Sequence, residues 1–358
     1  MSKPYPTPLT IEPIATEHTH TFIILHGRGS NATRFGHELL QSANLPAQLP
    51  TVKFIFPTAR RRRSTILKRV PINQWFDNYS LEDPGQRTNL QVEGLCETAA
   101  FLRTLIVQEA RVLGENGDGY QRIVLGGLSQ GCAAGVFALL GGAFGDSGCE
   151  KLGAFFGMSG WLPFEAELGD ILRTASDGKV RDSLDGLEGS MQRVGLGDDT
   201  NSNVDTDEDE GEDKGEVESS DEEDGSGVFE SSYDQDEDDF NPFEDDVSSS
   251  DSNTRLSPSF QVINHVRDIL DLPQLSPQDD ESNPSTAAHL DIPVFLGHGA
   301  ADPKVSVRLG QKMASLLSRL DMNVTWKEYI GFGHWYKVPD EIDDVLAFLQ
   351  YRMSVPVT

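Results

Sequence analysis

Ile123-Val124-Leu125-Gly126-Gly127-Leu128-Ser129-Gln130-Gly131 is a short apolar run that ends on a serine flanked by glycines. Cys132 to Leu140 continues with helix-compatible residues, so the serine falls at a strand-to-helix turn. At such a turn small neighbours let the backbone crowd, and the serine hydroxyl is left projecting beyond the strand end. With 34 glycines in the chain the pentapeptide alone is unspecific. The strand before it and the helix after it give it weight. The free N–H groups of that helix's first turn can hold the negative charge that forms when a carbonyl is attacked. Ser129 is therefore the candidate nucleophile, and the Gln130 backbone N–H a candidate oxyanion donor.

Working outward, similar apolar runs recur at Thr21–Leu25, Val52–Phe56, Arg122–Leu125, Leu152–Phe156, Ile292–Leu296 and Val324–Tyr329. Between them, Leu95, Ala99, Leu102 and Ile106 repeat at helical spacing, as do Leu309, Met313, Leu316 and Leu320. Strands alternating with amphipathic helices predict an α/β protein with a mostly parallel central sheet covered on both faces, here an α/β-hydrolase fold. After the first of these strands comes Leu25-His26-Gly27-Arg28-Gly29, a glycine loop able to approach a substrate closely. In this fold that loop supplies the second oxyanion donor, assigned to the Arg28 backbone N–H.

Chain order selects the remaining groups, because the triad of this fold runs serine, acid, histidine. Of the eight histidines, His18, His20, His26 and His37 precede Ser129, and His265 falls in or beside an acidic stretch. His289 and His298 precede Asp302, which stands just past the run ending at Leu296. Asp321 ends a helical pattern and Glu328 lies within a strand pattern, so Asp302 is the candidate acid. His334, in Gly331-Phe332-Gly333-His334, occupies a loop at the C-terminal end of the last strand and is the candidate base.

The charge is unevenly distributed. Of a net −29, the stretch from Asp198 to Asp251 carries −24, with 25 acidic residues against Lys214 alone. Residues from about 170 to 258 hold too few apolar side chains to offset the entropy of ordering them. The expected organisation is an N-terminal extension over 1–17, a hydrolase domain in two parts over 18–168 and 287–358, and an acidic, largely disordered insertion over 169–286. Within that insertion Phe260, Ile263, Val266 and Leu270 share one face of a short helix ended by Pro273. Such a helix could dock on the body or remain transient.

An acidic chain repels nucleic acid and anionic membrane surfaces. The longest apolar stretch, Cys132 to Phe144, is too short to span a bilayer, and the N-terminus lacks the apolar run of a signal peptide. Three cysteines, Cys96, Cys132 and Cys149, show no disulfide framework, so a soluble protein in the reducing cytoplasm is expected. No metal-ligand spacing and no phosphate-binding glycine loop occurs, and no cofactor is expected. Trp75 and Trp161 flank apolar residues in loops. They suit either an acyl-chain groove, with Leu128 beside the nucleophile, or anchors in the core.

Five ordered motifs resemble the acyl-protein thioesterase/lysophospholipase carboxylesterase family: Leu25 to Gly29, Trp75-Phe76-Asp77, Gly126 to Gly131, Ser159-Gly160-Trp161-Leu162-Pro163, and His298 to Asp302. The resemblance covers about 18 to 165 and 287 to 353. It implies a serine esterase or thioesterase acting on fatty-acylated proteins, lysophospholipids or carboxylic esters. The chain departs from the family pattern in three places. Ser30 stands where an acidic residue is common, and Cys132 where glycine is. Over a hundred residues separate Trp161 from Asp302. Arg60 to Arg63 is an additional basic run. Two other readings stay open, a small-ester carboxylesterase and an interaction protein that works through its acidic segment.

Overall fold

The computed structural model describes residues 4–114, 118–145, 150–175, 256–276 and 287–358. The acidic stretch and the rest of the expected insertion, 176–255 and 277–286, lie outside the described residues. The strands are β1 (Leu9–Ile11), β2 (His20–Leu25), β3 (Val52–Phe56), β4 (Arg61–Ser64), β5 (Val70–Asn73), β6 (Ile123–Leu128), β7 (Ala154–Met158), β8 (Pro293–Gly299) and β9 (Asn323–Tyr329). The helices are α1 (Ala32–Ser42), α2 (Leu45–Gln48), α3 (Asn89–Leu113), α4 (Gln130–Gly141), α5 (165–175), α6 (Pro258–Ile269), α7 (Val307–Arg319) and α8 (Asp340–Met353).

Among the described residues, seven strands form one sheet in the order β1-β3-β2-β6-β7-β8-β9, parallel except for β1. Alternation along β2 shows how the sequence builds its two faces. Ile23 and Leu25 pack into the core beneath α3 to α7, while Phe22 and Ile24 pack into the core beneath α1 and α8. Both cores are built of buried apolar side chains, as the near-continuous apolar runs of a doubly covered parallel sheet require. From β2 the chain moves to β3 on one side and then returns to β6 on the other. The order of winding reverses between β2 and β6, and the loops at their carboxyl ends open a crevice there.

The six predicted strands all form. Two further features were not predicted. Leu9–Ile11 lies within the expected N-terminal extension and pairs antiparallel to β3, a three-residue edge too short to show a period. Arg61–Ser64, read from the sequence only as part of a basic run, pairs with Val70–Asn73 in a separate hairpin. Its charges are partly neutralised: Arg60 and Arg62 both bond Glu97, and Arg60 also stacks over Tyr5. The predicted helix around Phe260 docks. Ser257 caps it, Pro258 starts it, and Phe260, Ile263 and Val266 are buried in the core against α4. The expected boundary at 168 falls inside α5, whose Leu168 and Leu172 are buried in the same core.

Glu341, in the first turn of α8, is fully buried beneath β8. Its Oε2 accepts the Lys337 backbone N–H at 2.8 Å, and Oε1 has no partner. Burial outweighs that bond and, with the charge of Asp344, pushes the pKa up from 4.5 to about 8. The folded chain therefore holds this proton more tightly than the unfolded one. The stabilisation is complete below about 4.5 and is lost as pH rises towards about 8. Glu341→Gln keeps the neutral shape. Thermal unfolding should show it gaining on the wild type by up to about 4 kcal/mol between mildly acidic and alkaline buffer. A constant difference across that range would mean that Glu341 does not titrate there.

Among the described residues, no helix is long and apolar enough to cross a membrane.

Candidate active site

Ser129 sits between β6 and α4 with φ 56° and ψ −120°, a conformation that non-glycine residues rarely adopt. Packing enforces it. A Cβ on Gly127 would collide with the Gly131 and Cys132 backbone, and one on Gly131 with the Leu25 carbonyl, so the turn needs both glycines. The Ser129 N–H is held by the Met158 carbonyl at 2.8 Å, and the residue is 8% exposed. Cys132, where the family pattern has glycine, is accommodated because Gly157 and Gly160 leave room for its Sγ. Burial raises the pKa of this thiol, which keeps it protonated.

His334 Nε2 lies 3.0 Å from Ser129 Oγ, and its Nδ1 lies 2.7 Å from Asp302 Oδ2. The Asp302 side chain is out of solvent. Burial alone would raise its pKa, but hydrogen bonds from His298, His334 and the Val305 and Lys304 N–H groups hold it well below the usual carboxylate range. The carboxylate therefore stays charged and fixes the His334 ring with Nδ1 protonated, leaving Nε2 free to accept from the serine. The loop carrying His334 is tied down by Ser159 Oγ, which donates to the Trp335 carbonyl, and by Ala301 N–H, which donates to the Phe332 carbonyl.

Two elements that the sequence left unassigned brace the glycine loop after β2. His26 accepts the Ala59 N–H at Nε2 and donates from Nδ1 to the Gly27 carbonyl, and burial lowers its pKa to about 4, so it is neutral. Asn73, at the end of β5, accepts the Gly29 N–H and donates to the Ser30 carbonyl. Gln130 accepts the Trp75 N–H and donates to the Phe76 carbonyl, which locks the elbow to the neighbouring loop. Arg28 and Gln130 both line the cleft beside Ser129.

That cleft has a volume of about 240 Å³, with Arg28, Phe35, Leu128, Trp161, Lys304 and Trp335 among its walls. Leu128 and Trp161, the expected substrate-binding residues, both line this cleft. Trp75, expected beside them, is not among the residues that line it. It is 0% exposed, stays behind the cleft wall, and donates its indole N–H to the His26 carbonyl at 2.8 Å. Of the two readings open for it, the core anchor describes it. Trp75→Ala should cost about 3–5 kcal/mol in denaturant unfolding. Substrates of long and short acyl chain should then be affected alike; a loss confined to long chains would put Trp75 back in a groove.

Sequence reasoning missed His298, which was set aside because it precedes Asp302. Its Nε2 lies 3.2 Å from Asp302 Oδ2 and 2.9 Å from the Val305 carbonyl. It also missed Lys304 and Trp335, whose only signal was adjacency to Asp302 and His334.

A mostly parallel sheet with helices on both faces, and a strained serine at the end of its middle strand, define an α/β hydrolase. The phospholipase/carboxylesterase family model matches residues 7–176 and 274–353. The chain belongs to this family. It is similar to acyl-protein thioesterase 1 of Yarrowia lipolytica, with 32% identity over 163 residues, 45% of this chain and 65% of that relative's length. Acyl-protein thioesterase 1 of Gibberella zeae is 24% identical over 343 residues, 95% of this chain and 94% of its own. The crystal structure of Zea mays acyl-protein thioesterase 2 shares the fold with a TM-score of 0.54 at 21% identity, covering 98% of this chain and 100% of that one.

Proposed function

We propose that this chain hydrolyses carboxylic ester or thioester bonds of acylated proteins or lipids through Ser129, His334 and Asp302. The observation that carries this reading is the continuous hydrogen-bond chain from Ser129 through His334 to Asp302, at 3.0 and 2.7 Å. Ser129 Oγ attacks the acyl carbon as His334 Nε2 takes its proton. The backbone N–H groups of Arg28 and Gln130 hold the oxyanion, and His334 returns the proton to the leaving thiol or alcohol. Water, activated by the same histidine, then releases the acid. Asp302 stabilises the charged imidazole throughout.

A cytoplasmic location is supported by Cys96 and Cys132, both free thiols. The acidic stretch is an insertion into the hydrolase domain, a reading supported by the break in the family match between 176 and 274.

A second reading, a carboxylesterase for small esters, is favoured by the cleft volume. About 240 Å³ falls below the roughly 300–1,000 Å³ of pockets that enclose drug-sized ligands. Comparing kcat/KM for a palmitoyl thioester and a short-chain ester decides between the two. Preference for the palmitoyl substrate supports the thioesterase reading, and a preference of tenfold or more for the short ester supports the other.

A further inference from the structure

Among the described residues, the walls of the cleft carry two cations, Arg28 and Lys304, and no carboxylate. The acidic stretch carries −24 of the chain's −29, so against a nearly balanced remainder this wall is a local excess of positive charge. Arg28 is the more informative of the two. Its guanidinium is half-buried and makes no hydrogen bond or ion pair among the described residues, and its Nη1 is shut off from solvent without an acceptor. Asp77, the acidic group whose charge acts on Arg28, is already engaged. Its carboxylate accepts from Thr65 N–H and Oγ1, from Gln74 Nε2 and from the Asn78 N–H. Burial lowers the Arg28 pKa, with Asp77 opposing the fall, yet a guanidinium remains charged at any physiological pH.

Leaving a donor of a charged group without an acceptor is costly, and an anion in the cleft would supply one to the guanidinium. Guanidinium geometry suits carboxylate or phosphate oxygens, which it binds through parallel N–H bonds. The position is specific as well. Arg28 belongs to the glycine loop after β2, and it lines the cleft together with Ser30 and Ser129. Lys304 stands at the rim, where solvent screens it more strongly.

We propose that this cleft selects esters or thioesters bearing an anionic group, carboxylate or phosphate, close to the scissile carbonyl, with the Arg28 side chain as the residue that reads it and Lys304 as an auxiliary cation. The proposal rests on Ser129 being the nucleophile.

The test uses the full chain and three nitrophenyl substrates: a neutral butyrate, a hemiglutarate with its anion on the acyl side, and a butyrate of a carboxylated nitrophenol with its anion on the leaving group. The readout is the ratio of kcat/KM for each anionic ester to that for the neutral one, in wild type and in Arg28→Met, so that intrinsic ester reactivity cancels. Arg28→Met should lower that ratio by about 10- to 100-fold for one of the two anionic esters, whatever it does to the neutral one. The ester affected tells which side of the bond carries the anion. Arg28→Lys should restore part of the ratio, and Lys304→Met should lower it less. Should Arg28→Met fail to fold, wild-type protection decides: glutarate, but not its neutral diamide, should slow labelling of Ser129 by a fluorophosphonate. Ratios unchanged by Arg28→Met while the neutral ester is turned over, or equal protection by glutarate and the diamide, would overturn the proposal. If the wild type neither hydrolyses any ester nor labels, the nucleophile itself is wrong, a separate failure that removes the basis of the inference.

Discussion

Ser129→Ala is expected to lower kcat by about 10⁴- to 10⁶-fold while leaving the fold intact, measured on a short-chain ester with the same preparation checked by thermal unfolding. The magnitude follows from the way the three groups act as a unit. Without Oγ there is nothing for His334 to deprotonate and no acyl-enzyme to form, so only oxyanion stabilisation and binding remain. The fold should survive because alanine fits the same strained turn and loses only one hydroxyl, whose partner is His334 Nε2. Wild-type-like turnover in this variant, with contamination excluded, would place the nucleophile elsewhere.

Asp302→Asn should lower kcat by about 10³- to 10⁴-fold with a small change in KM. The amide oxygen can still accept the Lys304 and Val305 N–H groups, which now meet Oδ1 at 2.8 and 3.0 Å. The opposite atom becomes an NH₂ facing His334 Nδ1, and the ring must turn its lone pair towards it. Nε2 then carries the proton and can no longer accept one from Ser129. The same NH₂ also faces His298 Nε2, at 3.2 Å from Oδ2 in the wild type, so two histidines lose a carboxylate partner at once. Loss of stability should accompany loss of activity, and steady-state kinetics with a parallel unfolding curve separate the two. A variant with near-normal kcat would show that Asp302 does not orient the base.

How much of this was legible in the sequence varied with the kind of signal. The stretch from Ile123 to Gly131 could be read because strand, glycine-flanked turn and helix each leave a local pattern there. Asp302 and His334 could be read because chain order and strand ends leave few other residues able to serve. The β4–β5 hairpin was hidden because a strand of four residues, three of them arginine, has no apolar alternation, and β1 because three residues carry no period. Trp75 was ambiguous for a physical reason: an indole serves a core and a groove equally well. Only its bond to the His26 carbonyl and its place behind the cleft wall decide between them. The unpaired Arg28 guanidinium could not be read at all, since the neutral donors that occupy Asp77 come from Thr65, Gln74 and Asn78, brought together by the fold.

The central claim, that Ser129 is activated by His334 and Asp302 to form an acyl-enzyme, is tested most directly by reacting the full chain with a fluorophosphonate and locating the adduct by peptide mass mapping. One adduct per chain on Ser129 is predicted, absent in Ser129→Ala and formed far more slowly in His334→Ala. An adduct on another residue, or ester turnover in a chain that takes up no label, would contradict it.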